Sequence, residues 1–138
     1  MVMILAIDYG QKRIGLALGS VIPRVAGVID NAQKRELVLE QIKTLCLEND
    51  VEKIVIGLPI RSQGEEGTHA QEIRNFSAQL EKATGLLVLF EEEQFTSTEA
   101  ERLLGKINEK ERRAGKVDEM AALLILEQYL NHSEGSEG

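Results

Sequence analysis

Short apolar runs alternate along this chain with longer segments in which apolar residues recur every three or four positions. Met3–Ile7 is too short for a helix and rich enough in Ile and Leu for a strand buried on both faces. Asp8 ends that run, Gly10 permits a sharp turn, and Ile14–Leu18 returns antiparallel. Val25–Ile29, entered from Pro23, is a third strand. A helix is predicted over Lys34–Glu48, capped by Asp30 or Asn31. Its Leu37, Val38, Ile42, Leu45 and Cys46 share one face. Glu52–Leu58 reads as a buried strand that Pro59 stops. After the polar loop Ile60–Gly67, a helix over Thr68–Lys82 carries Ile73, Phe76 and Leu80, with Gly85 as its C-cap. Leu86–Phe90 is the fifth strand. Thr96 and Glu99 form a capping-box pattern for a helix through Leu103 and Leu104. A Lys/Arg-rich connection then leads to a last helix over Val117–Leu130.

The order of elements restricts the topology. Parallel strands need crossovers, and the first two long helices supply them. The expectation is an α/β fold of the RNase H-like kind: a mixed five-stranded sheet, its first three strands an antiparallel meander, flanked by about four helices. Residues 1–132 form one domain in this reading. Residues 133–138 have no apolar side chain and are expected to be a disordered tail.

Composition narrows the class. The 138 residues are 43% apolar and 28% charged, the proportions of an ordinary globular domain. No apolar run approaches the roughly 20 residues of a membrane span. The first residues lack a basic lead-in and cleavage site, so no membrane association and a cytoplasmic location are expected. The single cysteine, Cys46, reads as a core thiol. A net charge of −7 argues against non-specific coating of nucleic acid. The charge is uneven, however: Arg102–Lys116 carries +4, leaving −11 elsewhere. A basic arm beside an acidic centre suits a protein that grips a phosphate chain, although a solvated helix end would look the same.

Three acidic features need explanation. Asp8 ends the first strand, Glu93 closes the run Glu91–Glu93 at the end of the fifth, and Asp118 opens the last helix. Asp118 shares a stripe with Ala122, Ile125 and Tyr129 and so points to the apolar side. Each has a plain alternative: a turn cap, a solvated strand end, a favourable charge at a helix N-terminus. In this topology all three can reach the C-terminal end of a central first strand. Carboxylates that close repel by roughly 4 kcal/mol per pair at 4 Å and an intermediate dielectric. A divalent cation removes the repulsion, and hard oxygen donors select Mg²⁺ or Mn²⁺. One Cys and two His (His69, His132) cannot build a usual zinc site. Two ions about 3.5–4 Å apart clamp a phosphodiester and activate water. Lys12, Arg13, Arg61, Arg112, Arg113 and Lys116 are candidates for holding the phosphate chain.

The segments Asp8–Leu18 (DYGQKRIGLAL), Gly57–Gly67 (GLPIRSQGEEG), Glu91–Ala100 (EEEQFTSTEA) and Lys116–Leu130 (KVDEMAALLILEQYL) resemble the YqgF, or RuvX-like, family. That family is related to RuvC-type Holliday-junction resolvases, and the likeness runs to about Asn131. By this resemblance Asp8 takes the place of the first-strand catalytic Asp and Asp118 that of the last-helix Asp. Glu92, Glu93 and Gln94 fall on an Asp-Glu-Arg motif, Glu93 on its Glu. The resemblance implies a metal-dependent endonuclease of the bacterial cytoplasm that matures the 5′ end of 16S rRNA. Resolution of branched DNA is the alternative. Gln94 removes a charge that the family has, and Arg61 and Gln63 stand where it more often shows Asn and Asp. These departures bear on substrate grip, and Arg61 offers a replacement charge.

Two other classes stay open. Sugar-kinase and actin-like ATPase modules also use an Ile-Asp-x-Gly hairpin, but they need a second such loop, and this chain has no other Asp-x-Gly. A non-catalytic RNA-binding assembly factor could keep the fold, although the presence of all three acids counts against it. The sequence leaves monomer and homodimer equally open, and a four-way junction would favour the dimer.

Overall fold

The computed structural model describes residues 2–59, 67–93 and 105–137, with side chains described as far as His132 in the last helix. The elements are β1 (Ile4–Tyr9), β2 (Arg13–Gly19), β3 (Arg24–Asp30), α1 (Arg35–Glu48), β4 (Lys53–Leu58), α2 (Thr68–Thr84), β5 (Leu87–Glu92), α3 (Glu109–Arg113) and α4 (Lys116–Glu137). The sheet order is β3-β2-β1-β4-β5. β1, β2 and β3 form an antiparallel meander, and β4 and β5 run parallel to β1. The expected mixed sheet is therefore present, with β1 at its centre.

Strand alternation divides the core between two faces. Leu5, Ile7 and Tyr9 of β1 point to the side covered by α1 and α2, where Val38, Ile42, Ile73, Phe76 and Leu80 are buried. Ile4 and Ala6 point the other way, with Ala17 and Val55, under Ala122, Ile125, Leu126 and Tyr129 of α4. Burial of each large side chain contributes about 1.5–3 kcal/mol. The α4 face is built of smaller residues, so the helix lies close to the sheet. At Gly15 the approach is backbone to backbone: a Cβ there would run into the Asp118 carbonyl oxygen. Gly10 is required for a similar reason, since its Cβ would meet the Arg13 carbonyl oxygen at 2.6 Å across the β1–β2 turn.

Several local expectations shift. Neither Asp30 nor Asn31 caps α1, whose N-cap is Lys34 without a side-chain hydrogen bond. Both are engaged elsewhere: Asp30 accepts from the Ala32 amide, and the Asn31 amide group donates to the Gly10 carbonyl at 2.8 Å. Leu37 faces solvent, while Val38, Ile42 and Cys46 are buried. Burial pushes the Cys46 thiol up to about 11, which leaves it protonated and inert. Gly85 closes α2 in the left-handed region, φ 72°. β5 runs two residues beyond the expected end at Phe90. The basic connection contains a short helix, α3, closed by a reciprocal capping box between Asn108 and Glu111. The Thr96 capping box and its helix lie outside the described residues. α4 continues past Leu130 to Glu137, through most of the segment expected to be a tail.

Candidate active site

Three elements deliver carboxylates to one end of the sheet, on the α4 face. Asp8 follows Ala6 by two positions on β1 and so points the same way. Glu93 lies just past β5, and its amide donates to the Leu58 carbonyl at 3.1 Å, which extends the β4–β5 ladder by one rung. Its Oε1 stands over Gly57, where a Cβ would be 2.7 Å away. Asp118 occupies the first turn of α4, seated directly on Gly15, the residue paired with Asp8 across β1 and β2. Positions 8, 93 and 118 thus meet because a strand, a strand end and a helix start share one edge.

The electrostatics follow from this placement. The Asp8 carboxyl is raised from 3.8 to about 7, first by burial, then by the Glu93 carboxylate and then by that of Asp118. Glu93 is also raised by burial, and His69 in the first turn of α2 partly offsets the rise. Asp8 has no hydrogen bond or ion pair among the described residues. It is not a turn cap. Asp118 differs, because Arg13 Nε donates to its Oδ2 at 2.9 Å.

The donor set is all oxygen, which suits Mg²⁺ or Mn²⁺ rather than a softer metal. A half-buried carboxylate without a counter-charge, beside two others, is the arrangement a divalent cation would relieve. The residues therefore fit such an ion by chemistry. Among the described residues, no three His, Cys, Asp or Glu side chains are yet spaced to hold one. Of the three acids, Asp118 is the one already engaged by a cation, Arg13.

The basic candidates are placed as follows. Lys12 is exposed on the β1–β2 turn. Arg112 and Arg113 are exposed on α3, the latter 3.7 Å from Glu109. Lys116 lies 3.6 Å from Glu119. Arg13, expected to face a phosphate chain, instead reaches across to α4. Arg61 and Gln94 are outside the described residues.

In the sequence Glu91–Glu93 form one acidic run. The strand separates them: Glu92 is exposed, whereas Glu91 is 5% exposed and pairs with His132 Nε2 at 2.7 Å and with the Gln128 amide. Glu91 thus fastens β5 to α4, which steadies the strand end that carries Glu93. On the opposite face, Arg35 lies over the Tyr9 and Phe76 rings and donates to the Tyr9 hydroxyl at 2.7 Å. That contact fixes the end of β1 next to Asp8.

Comparison with known proteins agrees with this frame. The chain superposes on T. thermophilus RuvC, solved in complex with a Holliday junction substrate, with a TM-score of 0.56 at 12% identity over 96% of each chain. Another Thermus thermophilus RuvC structure gives 0.51 at 14% identity. Curated relatives share far more sequence. A protein of Syntrophus aciditrophicus named "Putative pre-16S rRNA nuclease" is 40% identical, covering 93% of this chain and 87% of its own. Proteins of the same name from Lactococcus lactis (33%; 93% of each chain) and Dictyoglomus thermophilum (34%; 94% and 96%) align as fully. The model of the RuvX family, described as Holliday junction resolvase, matches residues 2–132. An RNase H-like sheet whose relatives are named for cutting nucleic acid defines a nuclease. Within that class, the chain belongs to the RuvX family.

Proposed function

We propose that the protein is a metal-dependent endonuclease that hydrolyses phosphodiester bonds of precursor 16S rRNA at its 5′ end. In this reading Asp8, Glu93 and Asp118 are the catalytic carboxylates and the ligands of Mg²⁺ or Mn²⁺, two ions in the working complex. The observation that carries it is Asp8: a half-buried acid with no cationic partner among the described residues, raised to about 7 by burial and two neighbouring carboxylates. Bound divalent ions would supply an activated water and stabilise the leaving oxygen. The protein's own residues hold and orient. Gly15 and Gly57 let Asp118 and Glu93 approach the end of β1, and the Glu91 tie holds the strand that precedes Glu93. Lys12, Arg112, Arg113 and Lys116, together with Arg61, grip the backbone without reading bases.

RNA is favoured because the curated relatives named above are called pre-16S rRNA nucleases. Branched DNA is the second reading, supported by the family description and by the RuvC complex. It calls for a homodimer with paired sites, whereas RNA cleavage can be done by a monomer. No helix among the described residues is long and apolar enough to cross a membrane. Action in the cytoplasm is part of the proposed reading. The test compares cleavage of precursor rRNA and of a four-way junction in Mg²⁺ and in Mn²⁺, with the solution mass measured alongside. Metal-dependent cleavage of the RNA that vanishes in a folded Asp8→Asn variant is expected. Equal cleavage by that variant would overturn the assignment, and cleavage of the junction alone would move it to DNA.

A further inference from the structure

Arg13 is one charge in a small space, and its position affects how the carboxylates can be used. It opens β2, its stem packs within 3.3 Å of where a Cβ on Gly115 would stand, and its Nε donates to Asp118 Oδ2 at 2.9 Å. Gly115 is itself at φ 91°, and a side chain there would also meet Val28, at 2.9 Å. Asp118 is only 21% exposed at its side chain, which keeps the contact partly out of water. A charge-assisted bond in such a place is stronger than a surface pair. With all three acids ionised the set carries three negative charges, and the guanidinium offsets one. Two negative charges match one divalent ion, not two.

We propose that Arg13 occupies the place of a second cation, so that the protein free of nucleic acid takes up a single divalent ion and keeps Asp118 in reserve. The inference rests on the metal-dependent reading above. Arg13 is a positioning residue here: it acts on the cation count through Asp118. A nucleic-acid phosphate beside the site gives the guanidinium a competing anionic partner and releases Asp118 for the second ion.

The test is Mn²⁺ binding to the full chain without nucleic acid, by calorimetry and by the spin-resonance signal of free Mn²⁺, at pH 8. The wild type is expected to bind close to one ion tightly. Arg13→Gln should bind a second ion about tenfold or more tightly than the wild type does, the scale of removing one nearby charge at an intermediate dielectric. Arg13→Met keeps the stem over Gly115 and should behave as Arg13→Gln does if the latter folds poorly. Arg13→Lys, which keeps the charge, should stay near one ion. Unchanged binding in both neutral variants overturns the proposal, as does weaker binding, which would make Arg13 an aid to metal capture. Absence of saturable Mn²⁺ binding in the wild type and every variant would instead remove the metal-dependent reading itself, and this inference with it.

Discussion

Asp8 works against the stability of the fold it sits in. Its carboxyl rises from 3.8 to about 7 on folding, so its favourable contribution is complete below about pH 4 and is lost as pH climbs through 7. Asp8→Asn should therefore abolish cleavage and yet stabilise the metal-free protein at pH 8. The expected gain is about 2 kcal/mol after allowance for solvent screening, shrinking toward zero by pH 4. Urea melts at the two pH values check it, and equal stability of the two proteins at pH 8 would contradict the burial assigned to Asp8. The two glycines beneath the site should behave differently from each other. A methyl at position 15 meets the backbone of α4, which cannot move aside, so Gly15→Ala should cost about 3 kcal/mol or more. The nearest atoms to a methyl at position 57 belong to side chains, those of Ile125 and Glu93. Gly57→Ala should fold at a cost of about 1 kcal/mol and lose activity through a displaced Glu93. A drop in stability without a drop in turnover would refute that division.

At the level of elements, α3 depends on the residue just before it. Asn108 accepts from the Glu111 amide at 2.8 Å, and the Glu111 side chain returns the bond. Asn108→Ala should cost about 1 kcal/mol, felt locally as faster amide exchange over residues 109–113. The Asn-x-x-Glu spacing that signals this box is visible in the sequence, so α3 was legible there in principle. The strands were more plainly so, because buried apolar runs and the Gly10 and Pro59 breaks are local. The end of β5 was not. Glu91 looks polar in sequence, and its burial depends on His132 and Gln128, which are 41 and 37 positions away. The Arg13–Asp118 bond spans 105 positions. Alternation and helical stripes could bring three acids to one edge. They could not show which of them a cation from another strand had already taken, nor that the acids of 91–93 point different ways.

For the whole molecule, charge is separated between an acidic body and the basic Arg102–Lys116 arm. Arg112 and Arg113 are exposed on α3 and make no close contact with the site carboxylates among the described residues. Replacing both with Ala should weaken binding of RNA of any sequence and lower the salt dependence of the binding constant by about one to two phosphate contacts. Turnover at saturating RNA should hold. An unchanged salt slope in a binding titration would show that the arm is only a solvated surface. Because α4 meets the main chain of β2 at Gly15 and packs there near Ala6, Ala17 and Ala122, its height above β1 is set by backbone contact as well as by the Ile125, Leu126 and Tyr129 side chains. The α1 and α2 side, packed with larger residues, can exchange one bulky group for another and settle again. Random libraries screened for heat resistance should consequently fill with changes on that thicker half, while the thin half, on which the distance from helix to carboxylates depends, accepts almost none.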